Sequence, residues 1–347
     1  MRSADVRNFV VATALISLLA SCSGSSSSSM PPVAGNLIHK GKHQTTCPCI
    51  YVTNLSGDSV TVYPVGTSGN ASPTQFISGS NTGLTNPYAI AVDSSGNIYV
   101  ANGIGGPVYT GTVTVYAAGS TGNVAPTAVI EGPETGLYAP EGIALNPLNG
   151  DIYVTNAAGG PSGNGSITFY SPGSNGDVAP AGTITGSYTG LYAPAGLSLD
   201  PIGNIYVANL ANYIAIYAAG SVGNVPPVLT IGGALTGLTI PYDVALDSSL
   251  NVYAPNSSDE YGPYSVTIYG AGLGGNLAPL RTISGKRTKL AEPLGVALDS
   301  AGNTYATDDL TNSITVYAAG ANGNVKPTKT IKGRATQLNS PLGIAIR

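Results

Sequence analysis

The sequence has few charged residues and few histidines. Asp, Glu, Lys and Arg together make up 9% of its 347 residues, against about 25% in typical soluble domains. It has no Trp, and its two histidines are His39 and His43. A Ser-His-Asp triad or a histidine general base is therefore excluded from the chain beyond residue 43, unless the N-terminal segment folds back. We do not predict an enzyme.

Basic residues are also missing from most of the chain, because no Lys or Arg lies between His43 and Leu280. The twelve acidic residues from Asp58 to Glu260 are followed by nine basic ones from Arg281 onward. No long basic run appears, so nucleic acid is not an expected partner. The basic sector is interpreted as a lysine-protected strand edge, with docking to an acidic partner or to anionic lipid as the alternative. It contains Lys286, Arg287, Lys289, Lys326, Lys329, Lys332 and Arg334.

Residues 1–21 have the pattern of an export signal, which should be excluded from the fold. Arg2 and Arg7 precede an apolar stretch over 9–20 that is too short to span a bilayer comfortably. The order Leu-Ala-Ser-Cys at 19–22 resembles the lipobox of bacterial lipoproteins, in which Cys22 is lipidated and becomes the N-terminus. The alternative is an ordinary secretory signal with an incidental cysteine.

A serine- and glycine-rich segment follows Cys22. Such composition is typical of flexible coil, so residues 22–46 are predicted to be a tether between a lipid anchor and a folded domain over 47–347. The expected location is the cell envelope, in the outer membrane, facing the periplasm or the cell surface. The membrane is then a partner through the lipid.

Beyond residue 47 the chain consists of an internal repeat. Six anchors recur, and their Tyr residues lie 48, 54, 53, 47 and 52 positions apart. A period near fifty with short β-rich segments favours propeller blades over helical solenoids. The anchors are IYVTN at 50–54, IYVAN at 98–102, IYVTN at 152–156, IYVAN at 205–209, VYAPN at 252–256 and TYATD at 304–308.

Each repeat has four strand signals, here called A to D, separated by Gly-, Asn- and Asp-rich turns. The first repeat lacks strand A, whereas the chain ends on an unpaired strand A at 341–346. Pairing these two orphans closes the ring and removes both exposed edges. The predicted fold is therefore all-β, a six-bladed β-propeller of four-stranded antiparallel blades.

The repeat resembles the NHL type, which reads roughly Pro-x-Gly-Ile-Ala-Val-Asp, a Gly-Asn turn, Ile-Tyr-Val-Ala-Asp/Asn and an Ile-x-Val-Tyr strand. That resemblance covers nearly all of 47–347 and implies the fold, but not the function, since the family includes binding modules and enzymes. The matching segments are 87–102, 140–156, 194–209, 241–256 and 293–308.

Gluconolactonase-like hydrolases share this fold, and the resemblance implies a channel metal held partly by the residue after the proline that opens strand A. Here Glu141 alone suits such an ion, and Asp243 is one position away, so the oxygen cluster is incomplete. No cofactor is expected, and the alternative is a lactonase-like hydrolase with one divalent cation. The positions after the proline are Tyr88, Glu141, Ala195, Tyr242, Leu294 and Leu342.

One other group of side chains has metal-ligand chemistry. His39, His43, Cys47 and Cys49 supply two imidazoles and two thiols near the start of the first repeat. Zinc or copper would accept this set. The spacing is not that of a standard finger, and a disulfide or simple packing remains the alternative.

The residue that closes each anchor is a short polar one, and we expect its side chain to bond the backbone of its own B–C turn. A ring of ligand-facing groups at the channel mouth is the alternative. These residues are Asn54, Asn102, Asn156, Asn209, Asn256 and Asp308.

Three B–C loops are enlarged, at 103–111, 157–165 and 257–264. Loops on a rigid scaffold are the usual location of recognition, and Tyr is a favoured contact residue. We therefore expect a non-catalytic binding or scaffold module whose partner is a protein, glycan or small molecule. The candidate contacts are Tyr109, Tyr261, Tyr264, Asp259 and Glu260, with Glu141 in the channel.

Overall fold

A computed structural model describes residues 48–103, 111–160, 163–257 and 264–347. Each of its six sheets contains four antiparallel strands, and consecutive strands pair in the order A, B, C, D. Short segments rich in Val, Ile, Thr and Tyr form the strands, and glycines with positive φ, such as Gly96 and Gly203, close the A–B turns. The prediction of a six-bladed β-propeller is confirmed.

The strands are numbered in chain order. Blade 1 contains β1 Cys49–Asn54, β2 Ser59–Pro64, β3 Gln75–Ser78 and the last strand of the chain, and blade 2 contains β4 Pro87–Val92, β5 Ile98–Asn102, β6 Thr112–Tyr116 and β7 Ala128–Ile130. Blade 3 contains β8 Pro140–Leu145, β9 Ile152–Asn156, β10 Ser166–Tyr170 and β11 Gly182–Ile184, and blade 4 contains β12 Pro194–Leu199, β13 Ile205–Asn209, β14 Tyr213–Tyr217 and β15 Leu229–Gly232. Blade 5 contains β16 Ala245–Leu246, β17 Val252–Asn256, β18 Ser265–Tyr269 and β19 Arg281–Ser284. Blade 6 contains β20 Pro293–Leu298, β21 Thr304–Asp308, β22 Ser313–Tyr317 and β23 Lys329–Lys332, and the chain ends with β24 Pro341–Ile346. The described helices are short 3-10 turns at Leu55–Gly57, Pro133–Thr135 and Arg334–Thr336.

The ring closes through blade 1, where the last strand of the chain pairs with the first. In this antiparallel pair, Ile50 lies opposite Ile346 and Tyr51 opposite Ala345. The backbone N–H of Arg347 also donates to the carbonyl of Cys49 at 3.0 Å. The C-terminal segment therefore supplies strand A of the first blade, as predicted.

The hydrophobic core lies between blades. Each of its clusters joins strands B and C of one blade to strands A and B of the next, as where Val60 and Val62 pack with Ile90 and Ile98. Strands B and C are almost fully buried. Burial of apolar surface at about 25 cal/mol per Å² thus stabilises the contacts between neighbouring blades, and no blade has a separate core.

A tyrosine ends strand C in every blade, and its ring is buried. Its hydroxyl donates to the carbonyl of a threonine in the connector that leads into strand A of the same blade, at 2.6 Å for Tyr116 and Thr82. Buried hydroxyls need such a partner. The six donors are Tyr63, Tyr116, Tyr170, Tyr217, Tyr269 and Tyr317.

The outer edge of strand D is covered, which differs from the exposed edge expected above. The C–D loop of each blade reaches strand D of the preceding blade through a glycine, as where Gly122 donates to Phe76 at 2.7 Å and accepts from Ser78. The next residue, Asn123, accepts from the backbone N–H of Asn81 at 2.7 Å. We call this pair of contacts the latch. It recurs in all six blades, at Gly69, Gly122, Gly176, Gly223, Gly275 and Gly323.

Lysines therefore do not protect a bare strand edge in blade 6. Lys329 and Lys332 lie on a strand that the latch of blade 1 already pairs, and Lys329 Nζ donates to the carbonyl of Gly66 at 3.0 Å. Within the described ranges no helix is both long and apolar enough to cross a bilayer. The predicted signal, Cys22 and tether lie outside the described residues.

Candidate functional site

The connectors between blades lead into strand A on the same face as the B–C loops. The first residue of a B–C loop donates to the residue that precedes the proline of strand A, as Ala157 does to Ala139 at 2.9 Å. The two kinds of loop are thereby tied together around the mouth of the channel. The connectors and the B–C loops therefore share one face of the ring.

The ring of Asn and Asp residues that closes the anchors holds these connectors. The side-chain oxygen of Asn156 accepts from the backbone N–H of Tyr138 at 3.0 Å, and its amide donates to Thr168 in strand C. Among the described residues, the asparagine side chains bond the connector and strands B and C, whereas the expectation was a bond to the backbone of the B–C turn. Asp308 bonds both the connector and its own B–C turn. The backbone N–H of Ala291 in the connector donates to Oδ2, and that of Thr311 in the turn donates to Oδ1. All six side chains are buried, so they do not form a ligand-facing ring.

Five connectors start strand A from a backbone conformation that is rare outside glycine. The residue before the proline has positive φ, and at one connector it is the β-branched Ile240, with φ of 46°. Positive φ is uncommon for such residues, and strain of this kind clusters at ligand sites. These residues are Asn86, Ala139, Ala193, Ile240 and Ser340.

The A strands surround a central cavity of about 220 Å³, and a second cavity of about 290 Å³ opens at the mouth. Tyr88, Tyr242 and Leu342 line both of them. Tyr88 belongs to blade 2 and Tyr242 lies in the segment that leads into strand A of blade 5, so the two tyrosines lie on opposite sides of the ring. The two cavities share these lining residues and therefore adjoin each other.

Glu141 is the acidic residue nearest these rings. Burial raises the pKa of Glu141 to about 7, and its Oε2 atom is buried without a hydrogen-bond partner. Its charge also raises the pKa values of Tyr88 and Tyr242, although burial has the larger effect on both. Glu141 thus lines the central cavity together with both tyrosines, and its Oε2 atom is enclosed by the protein.

Asp243 lines the central cavity, and each oxygen of its carboxylate accepts one backbone hydrogen bond. Oδ1 accepts from the N–H of Val244 at 2.8 Å and Oδ2 accepts from the N–H of Val296 at 3.0 Å. Burial raises the pKa of Asp243 to about 7, although these two N–H groups lower it. The carboxylate thereby provides an acceptor for one N–H group of its own blade and for one of blade 6.

Two further carboxylates lie at the mouth. Burial raises the pKa of Glu292, and the charges of Asp309 and Asp308 raise it further. The Oδ1 atom of Asp309 is buried without a partner. The charges of Glu292 and Asp309 also raise the pKa of Tyr242, so these groups lie close to its ring.

This arrangement does not fit a divalent metal. No three His, Cys, Asp or Glu side chains converge in the parts of the chain that the structure describes. Glu141 contributes one unsatisfied oxygen, and both oxygens of Asp243 already accept backbone bonds. A calcium ion needs six to eight oxygens, so we derive no metal-dependent step.

Most of the predicted loop contacts are not part of the described structure. Tyr109, Asp259, Glu260 and Tyr261 lie outside the described residues, as do His39, His43 and Cys47. Tyr264 is described and is partly buried just before β18. Cys49 is the first residue of β1. The contact role of the loop residues and the metal set therefore both stay predictions.

Three exposed tyrosines that sequence reasoning missed lie on neighbouring connectors of the same face. Tyr138 is 51% exposed, Tyr188 72% and Tyr192 55%. Tyr138 and Tyr192 stand at equivalent positions of the motif Gly-Leu-Tyr-Ala-Pro, so the repeat itself carried this signal. The backbone N–H of Tyr188 donates to Asn224 of the latch, whereas Tyr138 and Tyr192 lie two residues before the prolines that start strand A.

Two kinds of comparison find propeller proteins. A family model described as a beta-propeller repeat matches residues 74–101, and no curated protein matches the sequence. A chain of a nidogen/laminin complex has a TM-score of 0.58 with 16% identity, over 86% of this chain and 98% of that one. The match to the NHL type in particular stays a prediction.

Two bacterial structures have the same architecture. A protein of unknown function from Bacteroides caccae has a TM-score of 0.60 with 10% identity, over 87% of this chain and 99% of that one. A protein from Bacteroides fragilis, provisionally named a 6-phosphogluconolactonase, has a TM-score of 0.54 with 15% identity, over 86% and 98% of the two chains. At such identities the likeness concerns the fold alone. The chain is a six-bladed β-propeller that contains a recognised β-propeller repeat.

Proposed function

We propose that this protein is an exported, lipid-anchored binding module without catalytic activity, and that its ligand occupies the channel mouth. The observation that carries the proposal is the pair of adjoining cavities that Tyr88 and Tyr242 both line, the central one of which also has Glu141 in its lining. Preformed concave sites with a few convergent polar groups are the usual form of small-molecule sites.

The kinds of side chain that line the channel support a binding role rather than catalysis. No histidine is present beyond His43, and two backbone N–H groups hold the carboxylate of Asp243 in place. Among the described residues, no hydrogen bond joins Glu141 to a second group that could act with it in catalysis. The lactonase-like hydrolase is kept as an outcome of the experiment below.

The binding role is tested by thermal unfolding of the full chain with Cys22→Ser, screened against a library of small metabolites. A ligand at about 100 times its Kd stabilises the folded state by about 2.7 kcal/mol. We expect Tyr242→Leu to abolish stabilisation by the hits, and Tyr192→Leu, an exposed tyrosine of the same face, to leave it unchanged. Mass spectrometry should recover each hit intact.

Other results would overturn the proposal. A hit converted to product would make the protein an enzyme, and hits insensitive to Tyr242→Leu would place the site elsewhere. For the anchor, we expect the mature protein to carry acyl chains on Cys22 by mass spectrometry, and Cys22→Ser to release it from the membrane fraction. An unmodified Cys22 would contradict the lipoprotein proposal.

A further inference from the structure

We infer that the outer edge of blade 6 binds the surface of an anionic lipid bilayer, and that a groove in this edge takes the phosphate of a lipid head group. This inference rests on the membrane anchor proposed above and adds the surface by which the propeller contacts the membrane. We call this surface the basic edge. It consists of the exposed Lys and Arg side chains at 286–289 and 326–334.

The basic edge carries charge of one sign. All of its Lys and Arg side chains are exposed, whereas the acidic residues between Arg281 and the C-terminus lie elsewhere in the blade. Glu292 and Asp309 line the cavity at the channel mouth. Asp308 is buried, and Asp299 lies in the A–B turn. An uncompensated positive surface attracts an anionic one.

A groove of about 400 Å³ lies within the basic edge. Its walls come from the connector that leads into β20, from the start of β22 and from β23. Lys289 belongs to the connector and Lys332 to β23, and none of the residues that line the groove is acidic. A phosphate in this space would thus meet two ammonium groups from separate elements, and charged donors form the stronger hydrogen bonds.

The corresponding groove of blade 4 is filled by a tyrosine. Tyr213 begins β14, where blade 6 has a serine, and its hydroxyl donates to the carbonyl of Gly190 in the connector. A Cβ at Gly232, which pairs with Tyr213, would lie 2.8 Å from the tyrosine Cβ. Lys289 and Lys332 occupy the positions of these two glycines in blade 6. The exchange removes the ring from the groove and adds both charges to its walls.

The backbone at Lys289 disfavours a lysine. Its φ is 65°, a left-handed conformation that only glycine adopts without a Cβ penalty. The equivalent residue in blades 2 to 5 is a glycine, as at Gly190 with φ of 66°. Gln337, in the connector to β24, is the other exception, with φ of 60°. Lys289 therefore destabilises the fold relative to glycine, and strain of this kind clusters at ligand sites.

The proposed anchor is attached to the propeller beside the basic edge. The carbonyl of Pro48, the first described residue, accepts from the N–H of Val65 at 2.8 Å. The carbonyl of the next residue, Gly66, accepts from Nζ of Lys329 at 3.0 Å. Positions 22 and 48 are 26 residues apart, which corresponds to at most about 90 Å of extended chain. A lipid on Cys22 would therefore keep the basic edge close to the membrane.

A bilayer is the occupant that this geometry favours. The edge of the propeller directs its charges outward along strand D, and an anionic membrane presents many phosphates to them at once. Each Lys or Arg near such a surface strengthens binding by about fivefold. Attachment through a linker raises the effective concentration, so a contact of modest affinity is enough to orient the domain. Binding through the edge leaves the channel mouth accessible.

The test is co-sedimentation with vesicles of the chain that starts at residue 22 and carries Cys22→Ser, so that neither a lipid nor the apolar stretch at 9–20 contributes. We expect binding to an equal mixture of phosphatidylcholine and phosphatidylglycerol to be at least about tenfold stronger than binding to phosphatidylcholine alone. The difference should disappear at about 1 M salt, where the screening length is about 3 Å. Equal binding to both kinds of vesicle, or no binding to either, would overturn the inference.

Lys289→Gly separates membrane binding from folding. We expect it to weaken binding to the anionic vesicles by about fivefold and to raise the melting temperature, because it removes the left-handed strain. Gln337→Gly is the matched control, which should raise the melting temperature and leave binding unchanged. Ser187→Glu, at the position of blade 4 that corresponds to Lys286, changes the net charge as much as Lys289→Gly does and should also leave binding unchanged.

Two further results would contradict the inference. Equal weakening by Lys289→Gly and Ser187→Glu would assign the attraction to net charge rather than to the basic edge. Release from the vesicles by an equal concentration of glycerol phosphate would make the groove a site for a soluble phosphate ester and not for a bilayer. The anchor fails separately, through an unmodified Cys22, and the binding role of the channel mouth is tested separately by Tyr242→Leu.

Discussion

The backbone N–H of Val296 donates a hydrogen bond to Oδ2 of Asp243, 53 residues earlier and in the preceding blade, at 3.0 Å. In four of the other blades the position of Asp243 is a glycine, as at Gly196 and Gly295. Strand A of blade 5 is reduced to Ala245–Leu246. The carboxylate joins blades 5 and 6 through this hydrogen bond.

This contact predicts a specific dependence of stability on pH. The pKa of Asp243 is about 7 in the folded protein because of burial, above about 3.9 in an unfolded chain. The folded state therefore favours the protonated form, so the stabilisation is fully present below about pH 4. It is lost as the pH rises through about 7, on the order of 4 kcal/mol in total.

Urea unfolding of the wild type and of Asp243→Asn across this pH range measures the effect. The advantage of the wild type over the variant should shrink as the pH rises. Asp247 and Asp299 act in the opposite direction, since hydrogen bonds from Asn251 and Asn303 outweigh burial and lower their pKa values, but both proteins contain them. Parallel stability curves would contradict the assigned protonation of Asp243.

The strained connectors predict a stabilising substitution. Ala193 has φ of 41°, where glycine carries no Cβ penalty. We expect Ala193→Gly to raise the free energy of unfolding by about 0.5–1 kcal/mol. Ala195→Gly, two residues later in strand A, should lower it by about 1 kcal/mol, and equal effects of the two substitutions would argue against strain.

Ring closure predicts that the last strand is indispensable. Deleting residues 341–347 would expose the edge of β1 and remove Ile344 from the core between blades 6 and 1. Exposed edges pair with other chains, so we expect a lower melting temperature and self-association in size-exclusion chromatography. Arg347→Ala should change stability by less than about 0.5 kcal/mol. A monomeric truncated protein with unchanged melting would contradict closure by β24.

The repeat made the fold predictable, because each blade carries its own strand and turn signals in the same order. Ring closure was predictable because the first repeat lacks strand A and the last segment of the repeat pattern is a strand A without a strand B. The partners of the repeated asparagines were not predictable, since Asn123 bonds Asn81 in the connector from the preceding blade, 42 residues away. A local pattern shows that a side chain is polar and repeated, but not which distant N–H it meets.

The channel was predictable only in part. Glu141 stood out as the one acidic residue after a strand-A proline, and the structure places it in the lining of the central cavity with Tyr88 and Tyr242. The pattern of the repeat does not predict that these two tyrosines share a cavity, because they belong to blades on opposite sides of the ring. Asp309 follows an anchor in sequence and meets Tyr242 only because blades 5 and 6 are neighbours in the ring.

The latch gives the ring a direction, because the C–D loop of each blade bonds strand D of the preceding blade. Such a head-to-tail interface closes into a circle only when the rotation from unit to unit divides the full turn, as in cyclic oligomers. The number of blades is thus encoded in the angle that Gly122, Asn123 and their equivalents impose between neighbours. A chain that gained or lost one repeat by duplication or deletion would have to readjust all of these joints together.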